Sequence, residues 1–266
     1  MSTDYNLMAF KAITTFSNEL NENFGSNKQN HSLKLYDRLI SKTSLSHDKA
    51  IKKHIDSFRT FCIDNRDGIL SKDIKKFVSS KVEYSPKVYI DFISIFNLAD
   101  KETTDVIWNH LLTISALLDP AGNAKEILKK NKNHVTEADF LTDIINKVES
   151  HVKPDSNPME AVSTILSSGV FTDLISGMNN GIQDGTLDLG KLMGTVQTLC
   201  SSLSNLQGGG NQEGSQPDMG NMFSQLVGNM GNMNLNNPDG SKGQPDLASM
   251  LGPMMASLNK QPDSSA

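Results

Sequence analysis

Cysteine is scarce. Two residues, Cys62 and Cys200, stand far apart, too few for the disulfide framework of a small secreted fold and too scattered for a zinc site. Long apolar runs are missing too. The most apolar stretch, Val106 to Leu118, is interrupted by Asn109 and His110 and falls short of the roughly 20 residues that cross a bilayer. The opening Met1-Ser-Thr-Asp-Tyr-Asn has neither the basic nor the apolar region of a signal peptide, so the expectation is a soluble intracellular protein with reduced thiols and no membrane span. Excess charge of one sign is absent as well. With 25 basic and 30 acidic residues in 266, the formal net charge of −5 excludes a strongly basic nucleic-acid binder.

The charge is nevertheless uneven. Residues 1–130 hold 19 basic and 16 acidic side chains, net +3, and residues 131–266 hold 6 and 14, net −8. Lys49, Lys52, Lys53 and Asp56 fall on the helix face opposite Ile51, Ile55 and Phe58, as on an ordinary solvated face. With Arg59 nearby they form no clear nucleic-acid footprint.

Helical periodicity fills the first half. Tyr5, Met8, Ala9, Ala12, Ile13, Phe16, Leu20 and Phe24 recur at steps of three and four before Gly25. A second helix carries Leu33, Tyr36, Leu39 and Ile40, and a third, capped by Ser46, carries Ile51, His54, Ile55, Phe58 and Cys62. Ser71 is read as the cap of a fourth, with Ile74, Phe77 and Val78 inward. Ser85-Pro86 reads as the start of a centrally buried helix through Val88, Ile90, Phe92, Ile95 and Phe96. The next, with Trp108, Leu111 and Leu118, stops at Asp119-Pro120.

Beyond a polar stretch at 129–133, Thr136 with Asp139 suggests a capping box for a helix with Phe140, Leu141, Ile144, Ile145 and Val148 inward. Residues 151–158, with two prolines, read as a linker. A further helix through Val162, Ile165 and Leu166 is broken at Gly169, continues through Val170, Leu174 and Met178, turns at 179–185, and is followed by another from Leu187 to Leu203. The expected architecture is all-α: an N-terminal helical domain (1–130), a small second helical unit (131–206) and a disordered low-complexity tail (207–266).

The tail holds seven of the twelve methionines. Gln216-Pro-Asp and Gln244-Pro-Asp each open a short apolar segment, and a third Gln-Pro-Asp stands at 261–263. Methionine-rich segments adapt to varied apolar partners. The candidate interaction residues are therefore Met222, Phe223 and Leu226 in one segment and Leu247, Met250, Leu251, Met254 and Met255 in the other. Steps of three and four align Leu247, Met250, Leu251, Met254 and Leu258 as a stripe suited to lying in a groove on a partner or on the chain's own helical domains, with Pro253 interrupting it. The alternative reading of the tail is a solubilising spacer.

Catalytic and metal-binding patterns fail. Around Gly68 and Gly185, calcium-loop registers put Ile63 and Ile74, or Asn180 and Lys191, where a carboxylate and a bidentate Glu belong. His47 and His54, seven apart, lack a third ligand at a natural spacing; His54 and His110 read as core or boundary histidines. No nucleophile elbow, phosphate loop or dinucleotide fingerprint occurs. No enzyme activity and no cofactor are expected.

Four stretches carry a resemblance: Ala12-Ile-Thr-Thr-Phe-Ser-Asn-Glu-Leu, Ile55-Asp-Ser-Phe-Arg-Thr-Phe-Cys, Glu83-Tyr-Ser-Pro-Lys-Val-Tyr-Ile, and Ile107-Trp-Asn-His-Leu-Leu-Thr-Ile-Ser-Ala-Leu-Leu-Asp-Pro. Over residues 7–128 the chain resembles an uncharacterised family of helical proteins from nucleocytoplasmic large DNA viruses. The resemblance implies a viral setting, in host cytoplasm or the virion, without implying an activity. The expectation is a non-enzymatic viral structural or interaction protein, present in virions or at assembly sites, with a protein partner. The alternative is a co-chaperone-like adaptor whose tail binds exposed apolar segments.

Overall fold

A computed structural model describes residues 3–131, 134–152, 164–165 and 167–206. All of them fall in the first of the two units into which the chain divides, Met1–Gly210 and Asn211–Ala266. The described residues form ten α-helices and one hairpin: α1 (Thr3–Phe24), α2 (His31–Ile40), α3 (Asp48–Asp64), α4 (Arg66–Ser71), β1 (Lys81–Ser85), β2 (Val88–Asp91), α5 (Phe92–Leu98), α6 (Lys101–Leu118), α7 (Pro120–Lys130), α8 (Val135–His151), α9 (Val170–Gln183) and α10 (Leu189–Leu206). The all-α expectation holds, with the hairpin as an addition.

The core lies where α1, α3 and α6 pack together, with the hairpin laid over α2 and α3. The α3 stripe is as expected, since Ile51, His54, Ile55, Phe58 and Cys62 are all buried. Aromatic rings fill the centre. Phe92 stacks on Phe61 at 4.9 Å and on Phe16 at 5.9 Å. Trp108 lies 4.5 Å from Phe96 and meets Phe77 edge-on at 5.8 Å.

The stretch read as one helix from Ser85 is a hairpin followed by a helix. Val82 and Ile90 stand opposite each other and are both fully buried, whereas Lys81 is exposed, as period-2 alternation requires. Pro86 sits in the turn between the strands instead of at a helix start. Asp91 then caps α5 by accepting from Ser94 N. The all-round apolarity of 88–96 thus belongs to a strand and a short helix in series. The register slips between Glu83 and Ser85, and the intervening Tyr84 turns its ring onto His54, 4.5 Å between centroids.

Ser71 caps no helix either. It is the last residue of α4, and Lys72 after it is left-handed, with φ 52°. A single 3₁₀ turn, Ile74–Lys76, follows. Val78, expected inward, is 82% exposed. Asn65 decides this path: its Oδ1 accepts from Val78 N at 2.7 Å and Ser79 N at 3.1 Å, and its Nδ2 donates to Ser79 O and Phe61 O. The backbone bonds a helix would have used are made to this buried amide. Asn65→Ala should cost about 2 kcal/mol, since it strands buried backbone groups; urea denaturation would measure it, and a loss below about 0.5 kcal/mol would mean that water replaces the amide.

Asp119-Pro120 ends α6 as expected, but Pro120 also begins α7, a helix the sequence reading passed over, because proline suits the first helical position. Gly122 on α7 leaves room for the Arg66–Asp119 ion pair, 2.6 Å between Nε and Oδ2; a Cβ at that glycine would meet the guanidinium. Neither proposed cap forms at Ser46 or Thr136. Helix α3 starts at Asp48 after His47, and α8 starts at Val135 after His134, with no side-chain cap bond at either. The turn expected over 179–185 is shorter, because α9 runs on to Gln183. Most of the helix expected through Val162 and Leu166 lies outside the described residues.

Candidate docking groove

Helices α8 and α9 meet along incomplete apolar faces. On α8 the expected inward set, Phe140, Leu141, Ile144, Ile145 and Val148, is half-buried throughout. On α9, Val170 and Met178 are buried and Leu174 and Ile175 half-buried. Between the helices runs a groove of about 370 Å³, floored by Phe140, Ile144, Val170, Leu174 and Leu187. That volume lies within the range of about 300–1,000 Å³ typical of binding clefts.

Local chemistry sets the groove's ends. Gly169, with φ +78°, starts α9, a backbone geometry that favours glycine. At the other end Asp184 Oδ1 accepts from Thr186 N at 3.0 Å and from Thr186 Oγ1 at 2.6 Å, and Gly185, with φ +75°, completes the turn. Leu187 returns against Gly181, where a Cβ would collide with it. Buried Glu137 on α8 accepts from Asp188 N at 3.2 Å, fixing the start of α10 against α8.

The rim is acidic. Asp143, Asp173 and Asp184 line the groove, and one basic side chain, Lys147, lines it with them, 3.2 Å from Asp143. The bonds from Thr186 hold the Asp184 carboxyl below the usual carboxylate range. Asp188, beyond the rim, is also held low, first by the backbone N–H of Lys191.

His54 and His110 serve packing. His54 is fully buried, its Nδ1 2.9 Å from the Tyr36 hydroxyl. His110 stacks on Phe16 and sits 2.7 Å from Glu19. Cys62 is buried, and burial pushes its thiol up, away from the reactive range. Among the described residues, no group of three or more His, Cys, Asp or Glu is placed to hold a metal ion, and no helix is long and apolar enough to cross a membrane.

The tail candidates Met222, Phe223, Leu226, Leu247, Met250, Leu251, Met254 and Met255 lie outside the described residues. The groove's apolar floor is legible in the sequence as helix faces, and its acidic rim is not. The signal for the rim is the acidic surplus after residue 130, 14 acidic against 6 basic side chains.

The chain belongs to a family of unknown function, DUF5891, matched over residues 9–201. No curated protein and no solved structure matches it.

Proposed function

We propose that this chain is a non-enzymatic interaction protein of a large DNA virus, acting in particle structure or assembly, and that it engages a partner through the groove between α8 and α9. The observation that carries the reading is the groove itself. Two adjacent amphipathic helices leave apolar side chains half-exposed along a shared cleft, and contiguous exposed apolar surface marks interaction sites. The viral setting rests on the resemblance of residues 7–128.

The reading has two tests. Mass spectrometry of purified virus particles should find the chain at a reproducible stoichiometry; absence from particles and assembly sites would favour the adaptor alternative. In the full chain, Ile144→Ser with Leu174→Ser should leave the far-UV helical signal intact and weaken partner association by at least about tenfold, which corresponds to about 1.4 kcal/mol. Unchanged association in a folded double variant would remove the groove from the function.

A further inference from the structure

Resting on that reading, we infer that the groove between α8 and α9 receives a basic amphipathic helix of a partner protein. The floor is spaced for a helix. Phe140 and Ile144 on α8, and Val170 and Leu174 on α9, each stand four residues apart, so both walls present apolar groups at one-turn intervals. A helix with anchors at i, i+3 or i+4, and i+7 matches that spacing.

The rim selects the charge. Three carboxylates and one lysine leave the lining net −2, and the lysine is already paired with Asp143. Outside the lining, Asp188 is exposed just before α10, whereas Glu149 on α8 is paired with Lys125 at 2.6 Å. A cationic helix flank gains from this rim, and an anionic one is repelled.

Two other occupants fit less well. Residues 207–266 carry five acidic and two basic side chains, and the apolar segments after Gln216 and Gln244 have no positive surplus. A second copy could offer the lysines of α3. There, however, Ile51, Ile55 and Phe58 face the copy's own core, so Lys49, Lys52 and Lys53 come without an apolar stripe.

The test uses the full chain and four labelled peptides in fluorescence anisotropy. One is a Lys/Arg-rich amphipathic helix, the second has the same apolar stripe with Glu for Lys/Arg, the third is basic with the stripe scrambled, and the fourth is Gln244–Lys260 of this chain. The first should bind at least about tenfold more tightly than the others, and its advantage over the acidic peptide should shrink at about 0.3 M salt. Asp143→Asn, Asp173→Asn and Asp184→Asn together should weaken it about tenfold at unchanged melting temperature. Asparagine can still accept the Thr186 bonds that shape the turn at 184.

Equal binding of the acidic and basic stripes, both lost in Ile144→Ser with Leu174→Ser, would overturn the inference and leave the docking reading standing. Failure of every peptide would overturn the inference, and the docking reading would then stand or fall on its own partner-association test. Preference for the scrambled basic peptide or for Gln244–Lys260 would overturn it. So would sedimentation showing a dimer abolished by the same double substitution.

Discussion

Phe92→Ala should destabilise the protein by about 3–5 kcal/mol. The ring is fully buried and touches partners from two other elements, Phe16 on α1 and Phe61 on α3, while Phe96 beside it on α5 continues the packing to Trp108 on α6. Those partners are rings held by separate helices, so the space cannot be refilled by a single side-chain rotation. Thermal unfolding should show a midpoint lower by about 6–20 °C for a unit of this size. A loss below about 1 kcal/mol would mean that the site collapses around alanine. Phe92→Leu, which keeps much of the volume, should recover most of the stability.

Stability should fall steeply as pH drops from about 6.5 to about 4, by about 3 kcal/mol, because of His54. Burial lowers the His54 pKa to about 4, and nearby Lys53 adds to the effect. The Thr43 hydroxyl donates to Leu39 O and can accept from Nε2, which leaves Nδ1 to accept from Tyr36. That arrangement suits the neutral ring. The unfolded chain takes up a proton near 6.5 and the folded one only near 4. Within that window the unfolded state binds more protons, and stability therefore rises with pH. The carboxyl groups of Asp67, Asp100, Asp184 and Asp188 are held low, so their contribution disappears at still lower pH. Urea denaturation from pH 7 to 4 would measure the slope. In His54→Gln it should flatten; an unchanged slope would assign the acid sensitivity to other groups.

The sequence was most legible where one face of one long element meets the core. Helix α3 shows this, as its stripe from Ile51 to Cys62 is the buried set. Legibility failed where long-range hydrogen bonds outrank local pattern. The segment 72–79 has apolar residues at plausible helical spacing, yet Asn65, more than ten residues upstream, takes its backbone groups. The hairpin failed for a related reason. A five-residue and a four-residue strand are too short for periodicity to separate from helix, and the proline at their turn imitates a helix start. The groove was half legible. Phe140 and Ile144 were marked as apolar, but that α9 would leave them partly uncovered, with Asp173 and Asp184 alongside, depends on how two helices distant in sequence come together.

The distribution of the core along the chain has a consequence for synthesis. Among the described residues, every buried member of the central cluster lies between Ala9 and Leu118, and later ones join it at its margin, through Ile127 and Leu203. As the chain leaves the ribosome, the aromatic centre can close once α6 has emerged, following the usual N-terminal-first order. Helix α8 must wait longer. The backbone N–H that its buried Glu137 carboxylate receives belongs to Asp188, about fifty residues downstream. The nascent protein therefore passes through a stage in which its aromatic centre is sealed while the groove between α8 and α9 still awaits Leu187 and the Asp188 N–H.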